Sequence, residues 1–141
     1  QVKIGLHPKE QQFLEGEGGD LYGLFGISAP ELKINLSLEE GEIILGNQKF
    51  VSILAPGHSP GSIGLYWPDK KALFSGDVIF DQNVGRTDFP GGNSILLKKS
   101  ILAFSELDCE LLFPGHMGIV SGREKVRKNF KMVIQGIFPF L

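Results

Sequence analysis

The stretch Ala55-Pro56-Gly57-His58-Ser59-Pro60-Gly61-Ser62-Ile63 decides how this chain folds and where its chemistry lies. It places His58 just after the apolar, strand-like run Val51–Ala55, beside glycines that let the backbone turn sharply. Two further segments repeat this pattern, Ser75-Gly76-Asp77 and Pro114-Gly115-His116. Imidazole and carboxylate groups are ligands of zinc, iron and manganese. Each of three strand ends therefore presents one candidate metal ligand.

The three candidates are less specific when they are taken singly. A histidine in a loop is usually a surface or hydrogen-bonded residue, and Gly-Asp and Pro-Gly-His are common turn signals. Their joint occurrence says more, because the ends of neighbouring strands lie only about 5 Å apart. We therefore predict that His58, Asp77 and His116 lie on loops at one rim of one sheet, with their side chains converging.

The rest of the pattern predicts a mixed α and β fold around one sheet. The amino-terminal part has an apolar run over Val2–Leu6, a helix over Pro8–Glu15, and a glycine-rich loop or broken helix over Gly16–Pro30. A long loop is predicted over Asp81–Asn93. Gly46-Asn47-Gln48 is predicted to form a hairpin turn, and Asn93 or Ser94 is predicted to cap a helix. The other predicted elements are, in chain order, strands over Glu42–Leu45, Lys49–Ala55, Ser62–Trp67 and Lys71–Ser75, the capped helix to about Leu107, a strand over Glu110–Phe113, and a helix from about Gly122 to Gln135.

Bulk properties exclude several classes of partner. The net charge is −2 at pH 7, whereas nucleic acids and anionic membranes need a concentrated basic surface, so we expect neither as a partner. No apolar run approaches the roughly 20 residues that span a bilayer. Cys109 is the one cysteine, which excludes an internal disulfide and fits a reducing, cytoplasmic location. A length of 141 residues suits one domain or part of a larger one.

Beyond the single ligands, three motifs resemble those of metallo-β-lactamase-fold hydrolases. Residues 55–63 are similar to the third ligand motif of that family, Phe74–Phe80 to its bridging-aspartate motif, and Phe113–His116 to its final histidine motif. The segment Gly85-Arg86-Thr87-Asp88-Phe89-Pro90-Gly91-Gly92 resembles the glyoxalase II-like, or hydroxyacylglutathione hydrolase-like, subgroup. The resemblance implies an α+β fold, namely the C-terminal half of the four-layer αββα metallo-β-lactamase sandwich.

The first ligand motif of the family, His-x-His-x-Asp-His, does not occur in this sequence. The three histidines are His7, His58 and His116, so no other alignment supplies it. The chain also starts at Gln1 and goes directly into a strand-like run. We therefore expect residues 1–141 to be a single, partial metallo-β-lactamase-like domain that lacks the N-terminal half.

The resemblance also implies a role for each candidate ligand. His58 would bind a first metal ion, Asp77 would bridge both ions, and His116 would bind the second, while the absent half would supply four more ligands. The metal would be zinc, or alternatively iron or manganese, with two ions per complete site. A hydroxide held between them would attack a thioester or ester carbonyl. Alone, the three residues would form at most a two-His, one-carboxylate site for one ion.

The resemblance also has implications for three other residues. Arg86 would contact an anionic part of the substrate or, alternatively, hydrogen-bond its own loop. His7 matches a strand-to-helix connection and is expected to have no catalytic role. Met117 follows the last ligand where the subgroup often has glycine, which implies a bulkier loop.

The sequence is compatible with three different functions. The first is an enzyme, a glyoxalase II-like metallo-hydrolase as full-length parent, whose isolated C-terminal chain would be inactive. The second is a non-catalytic fragment or subunit that needs a complementing N-terminal half. The third is an iron-dependent sulfur dioxygenase, a relative that shares Gly-Arg-Thr-Asp-Phe but tends to end its last motif with Pro-Ala-His instead of Pro-Gly-His.

The expected partners are a small thioester or ester substrate and a protein surface. In the family fold two sheets pack face to face, so this chain would leave apolar strand residues uncovered, such as Val51, Ile53, Leu65 and Trp67. We expect the missing N-terminal half or a second copy of the chain to cover them. The alternative is that Gly16–Pro30 folds back over them as a lid.

Overall fold

The computed structural model describes residues 3–31 and 33–141. Its longer strands and helices follow the predicted order, whereas α2 and several two-residue strands, among them β8 within the predicted loop Asp81–Asn93, were not predicted. The start of the apolar run at Val2 lies outside the described residues. The strands are β1 Gly5–Leu6, β2 Leu36–Ser37, β3 Gly41–Leu45, β4 Gln48–Leu54, β5 Ile63–Trp67, β6 Ala72–Gly76, β7 Ile79–Phe80, β8 Asn83–Val84, β9 Leu111–Pro114 and β10 Val120–Ser121. The α-helices are α1 Pro8–Glu15, α2 Glu17–Leu24, α3 Ser94–Ser105 and α4 Arg123–Gly136, and short 3-10 helices span Pro68–Lys70 and Phe138–Phe140.

A six-stranded sheet in the order β10-β9-β6-β5-β4-β3 organises the fold. Its pairs are antiparallel except for β6 and β9, which run parallel. The predicted hairpin between β3 and β4 is present, and Gly46 in its turn has a φ of 62°. The mixed α and β class is confirmed. Because parallel neighbours end at the same edge of a sheet, the loops after β6 and β9 lie side by side.

Helices α3 and α4 cover one face of this sheet and form the hydrophobic core with it. Leu73 of β6 and Leu112 of β9 are fully buried together with Leu97 and Ile101 of α3. Helix α4 contributes three further buried apolar residues, Val126, Phe130 and Val133. Burying one such side chain stabilises the fold by about 1.5–3 kcal/mol. This layer therefore fixes the strands whose ends carry the candidate ligands.

Four aromatic side chains cluster on the opposite face of the sheet, here called the aromatic face: Phe50, Trp67, Phe74 and Phe113. The rings of Phe74 and Phe113 stack with their centroids 4.9 Å apart, yet Phe74 is 39% exposed. Leu65 shares this face, because it pairs directly with Phe74 across β5 and β6. Among the described residues, the core beneath α3 and α4 includes none of these five side chains.

The prediction that Val51 and Ile53 share the uncovered surface is wrong. Val51 pairs with Tyr66, which packs against the core, and Ile53 packs against the same core. Side chains alternate along a strand, so the register of β4 on β5 turns Val51 and Ile53 towards the helices. Leu65 and Trp67 do lie on the aromatic face, as predicted.

The amino-terminal segment folds into two short helices. Helix α1 covers the predicted Pro8–Glu15, and the Nδ1 atom of His7 caps it by accepting a hydrogen bond from the Lys9 N–H at 3.1 Å. Helix α2 is separated from α1 at Gly16 and ends at Leu24, and a loop follows to Pro30, so the segment combines the two predicted alternatives. The three glycines of α2 are weak helix formers, so the sequence pattern alone does not indicate a helix there. Within residues 3–31 and 33–141, every helix is too short or too polar for a bilayer crossing.

Candidate metal centre

The three predicted ligand residues come together at one rim of the large sheet. His58 lies in the loop between β4 and β5, Asp77 directly follows β6, and His116 follows β9. Gly76 at the end of β6 pairs with Pro114 at the end of β9. Two antiparallel pairings separate β4 from β6, so β4 runs in the same direction and also ends at this rim. Strand direction therefore explains the convergence.

Asp77 Oδ2 is the common point of the three side chains. It lies 3.7 Å from His58 Nε2 and 3.5 Å from His116 Nε2. Two ligand atoms that each lie about 2.0–2.1 Å from one tetrahedral ion are about 3.4 Å apart. Both observed separations are close to that value. An ion would therefore fit between Asp77 and each imidazole after small side-chain movements.

The described residues do not group three histidine, cysteine, aspartate or glutamate side chains so that they could hold one ion. A single-ion site, the most that the three residues alone were expected to form, is therefore not observed. Each imidazole instead faces the same carboxylate oxygen of Asp77. Two His–Asp pairs that share one carboxylate are the layout that a bridging aspartate requires. The ligand roles themselves stay predictions.

Two glycines let the backbone pack directly against Asp77. A Cβ atom on Gly115 would lie 2.2 Å from Asp77 Oδ1, and one on Gly85 would lie 1.8 Å from the Asp77 carbonyl oxygen. Both separations are far below van der Waals contact. The Gly115 N–H also donates a hydrogen bond to the Gly76 carbonyl at 2.8 Å, which ties the loop after β9 to the loop after β6. Close approach at these glycines fixes where the carboxylate lies.

A backbone carbonyl orients the imidazole of His58. Its Nδ1 atom lies 2.9 Å from the Arg86 carbonyl oxygen. A carbonyl oxygen can only accept a hydrogen bond, so this contact requires the proton on Nδ1 and leaves the Nε2 lone pair towards Asp77. Histidines that bind metals usually have such a partner on their other ring nitrogen. The contact therefore leaves Nε2 as the ring nitrogen that is available to a metal ion.

The guanidinium of Arg86 is held within its own loop. Its Nε and Nη2 atoms donate to the two carboxylate oxygens of Asp88 at 2.8 and 2.6 Å, and its Cζ atom lies 3.5 Å from the centroid of the Phe89 ring. Hydrogen bonding to Arg86 lowers the pKa of Asp88 to about 2, so Asp88 is ionised at neutral pH. These contacts favour the structural alternative for Arg86 over a direct contact with substrate.

His116 is the most exposed of the three candidate ligands. Its ring packs edge-on against Phe80 with the centroids 5.6 Å apart, while its side chain is 70% exposed. The next residue, Met117, has a φ of 67° and an exposed side chain. Glycine adopts this left-handed conformation without the steric cost that methionine has. The departure from the subgroup pattern therefore introduces local strain just after the last candidate ligand.

Glu10 is a residue of the site that the sequence did not reveal. Its Oε2 atom accepts hydrogen bonds from Ser59 Oγ at 2.6 Å and from the Gly61 N–H at 2.9 Å, directly after His58 in the chain. A glutamate in the first turn of a helix is common, because it complements the helix dipole. The contact joins residues about fifty positions apart. No spacing within the motif could have indicated it.

An open cleft of about 440 Å³ adjoins His58 and Asp77. Leu21 of α2 and Phe89 of the long loop form part of its wall. Phe25, just after α2, packs edge-on against Phe89 with the ring centroids 5.9 Å apart. These contacts place the glycine-rich segment beside the candidate metal centre, and Phe74 on the aromatic face stays partly exposed. They do not support the alternative of a lid over the sheet.

Other reactive groups lie at the opposite rim of the sheet. Cys109 is buried just before β9, and burial raises the pKa of its thiol, which disfavours a reactive thiolate. Nearby, Lys71 and Arg123 each form ion pairs with both Asp108 and Glu110. These pairs connect the start of α4 to the amino ends of β6 and β9 and take no part in the candidate site.

Comparison with known proteins agrees with this arrangement. A sequence profile described as the metallo-beta-lactamase superfamily matches residues 1–116. The probable metallo-hydrolase YqgX of Bacillus subtilis is 33% identical over 123 residues, which cover 86% of this chain and 56% of that protein. The hydroxyacylglutathione hydrolase GloC of Haemophilus influenzae is 39% identical over 102 residues, which cover 69% of this chain and 47% of that protein. The chain thus spans about half the length of these curated relatives.

A solved structure gives the same picture of the fold. The di-iron-bound form of TTHA1623 superposes with a TM-score of 0.75 at 31% sequence identity, covering 99% of this chain and 65% of that one. The similarity therefore includes the strands and loops that bring His58, Asp77 and His116 together.

Proposed function

Because this chain belongs to the metallo-β-lactamase superfamily, we propose that it is the C-terminal part of a metal-dependent hydrolase that cleaves thioesters or esters, of the hydroxyacylglutathione hydrolase type. The observation that carries the proposal is the position of Asp77 Oδ2, within 3.7 Å of the Nε2 atoms of both His58 and His116. The similarity to GloC supports the thioester specificity.

In this proposal the chain would contribute three ligands for two divalent ions: His58 would hold one ion, His116 would hold the other, and Asp77 would serve both. When bound, such ions polarise a carbonyl and make water acidic enough to ionise near neutral pH. The residues of this chain provide the geometry: the Arg86 carbonyl holds His58 with Nε2 towards Asp77, and Gly115 leaves room for the carboxylate. We propose zinc as the metal; iron or manganese would accept the same donors, and TTHA1623 was solved with two irons.

The proposal includes an N-terminal half that supplies the remaining ligands and covers the aromatic face. The length of the curated relatives supports this, because the chain spans about half of each. A cytoplasmic location belongs to the same proposal and is supported by the free, buried Cys109. On this basis we expect the isolated chain to lack activity.

Gly115 favours the hydrolase over the sulfur dioxygenase alternative. That class tends to have alanine at this position, before the last histidine. In this chain a Cβ atom there would lie 2.2 Å from Asp77 Oδ1, so Asp77 would have to move. The close contact therefore supports a site that needs glycine, and not alanine, directly before His116.

Metal content and turnover test the proposed function. We expect S-lactoylglutathione to be hydrolysed when the chain is combined with an N-terminal half carrying His-x-His-x-Asp-His, and not by the chain alone, since its three ligands are too few for two ions. Inductively coupled plasma analysis should find two ions per complex. Asp77→Asn in the complex should abolish both properties. Robust turnover or two tightly bound ions with the isolated chain would contradict the proposal, and a complex with two ions but no hydrolysis would contradict the thioester specificity.

Arg86→Ala and Asp88→Ala should reduce kcat/KM of the complete hydrolase by similar factors, roughly 10- to 100-fold. Each change breaks the same ion pair and loosens the loop whose carbonyl orients His58. Steady-state kinetics with S-lactoylglutathione would measure both, with Asp69→Ala at the exposed turn before β6 as control. A direct substrate contact by Arg86 would give opposite changes instead: Arg86→Ala would raise KM, whereas Asp88→Ala would free the guanidinium and lower it.

A further inference from the structure

The loop that carries His58 is anchored on both sides of this residue. Before His58, helix α3 holds the loop: the Asn93 N–H donates to the Gly57 carbonyl at 2.7 Å, and the Ser100 hydroxyl donates to the Pro56 carbonyl at 2.8 Å. These bonds fix the backbone just before His58. They do not fix the backbone just after it.

Glu10 of α1 anchors the loop after His58. Its Oε2 atom accepts hydrogen bonds from Ser59 Oγ and from the Gly61 N–H, and Ser59 Oγ also lies 2.7 Å from Ser62 Oγ. Hydrogen bonds to an ionised carboxylate are roughly twice as strong as neutral ones. A Cβ atom on Gly61 would lie 2.2 Å from the Glu10 backbone nitrogen, so the first turn of α1 is in direct contact with the loop.

We propose that Glu10 is a positioning residue for His58. By fixing Ser59 and Gly61, it holds the imidazole where Nδ1 reaches the Arg86 carbonyl and Nε2 faces Asp77. Glu10 lines the cleft beside His58, and it acts on this residue through the loop, by its hydrogen bonds to Ser59 and Gly61. The use of Nε2 for metal binding rests on the proposed function, whereas the anchoring is a property of the chain without metal.

The tautomer of His58 in the metal-free chain tests this directly. Long-range proton–nitrogen correlation spectra should find the wild-type ring protonated at Nδ1. Glu10→Ala should give a ring that averages between its two tautomers, because the bond to the Arg86 carbonyl is no longer enforced. Glu10→Gln should restore the wild-type signals, since one amide oxygen can accept both hydrogen bonds. Glu15→Gln, at the exposed end of the same helix, should have no effect.

If Glu10→Ala fails to fold, Ser59→Ala removes the hydroxyl contact from the loop side and should give the same averaged ring. A folded Glu10→Ala or Ser59→Ala variant with His58 still protonated at Nδ1 would overturn the assignment. A Glu10→Gln variant that behaves like Glu10→Ala would also overturn it, because glutamine can still accept both hydrogen bonds, and these would then not be what holds the ring.

Zinc titration of the complete protein gives a second readout. Glu10→Ala should weaken zinc binding at least tenfold and Glu10→Gln less than threefold, in the range seen when outer partners of metal ligands are removed. Unchanged zinc affinity in the Glu10→Ala variant would contradict the positioning role of Glu10. Failure of the wild type to bind zinc would refute the proposed function instead, and the metal-free spectra would still decide whether Glu10 positions His58.

Discussion

Gly115→Ala should lower both divalent metal affinity and hydrolysis by about a hundredfold in the proposed complete hydrolase while leaving folding almost unchanged. The new Cβ atom would lie 2.2 Å from Asp77 Oδ1 and 3.2 Å from the backbone of Gly76, so the carboxylate is the group that must move. A misplacement of about 1 Å at a reacting centre can cost about a hundredfold in rate. Both imidazoles face the same carboxylate oxygen, so both metal positions should weaken together. Chelator competition and steady-state kinetics would measure the two effects.

Gly118→Ala is the matched control for this substitution. It makes the same chemical change three residues further along the same loop, where an added Cβ atom would meet no other group within 4 Å. Urea denaturation midpoints should agree for the two variants, whereas metal affinity should differ. Equal metal affinity of the two variants would show that Gly115 does not determine the position of Asp77. Loss of folding in Gly115→Ala alone would show that the glycine serves packing and not the position of Asp77.

The candidate ligands could be predicted from the sequence because each depends on a short pattern. An apolar run followed by glycine and a polar residue indicates a strand that ends in a tight loop, and this holds for His58, Asp77 and His116. Their convergence also follows from strand direction, which the order of hairpins largely determines. The hairpin turn at Gly46 and the cap of α3 at Asn93 are equally local and were predicted correctly.

The contacts that orient these ligands could not be predicted, because they join distant parts of the chain. The Glu10 carboxylate reaches Ser59 across 49 positions, and the Arg86 carbonyl reaches His58 across 28. A backbone carbonyl carries no sequence signal, since every residue has one. The faces of β4 were misassigned for a related reason: a shift of one residue in register exchanges the two faces of a strand, and the β4–β5 connection does not specify the register by its sequence. Long-range packing decides such details.

The isolated chain should self-associate through the aromatic face, and Phe74→Lys should weaken this association at least about tenfold. Phe74 is 39% exposed although Leu65 and Phe113 flank it in one cross-strand row. Apolar surface left in water costs about 25 cal/mol for each Å², and a lysine in the centre of an interface would have to bury its charge. Light scattering over a dilution series would measure the effect. Leu102→Lys, on the exposed side of α3 with 46% exposure, is the matched control and should change nothing.

The molecule that covers the aromatic face should depend on which partner is present. In the isolated chain a second copy would cover it, most simply with two-fold symmetry, and the N-terminal half should compete with that copy when added. A wild-type chain that stays monomeric at all concentrations, and binds no hydrophobic dye, would show that the face needs no partner.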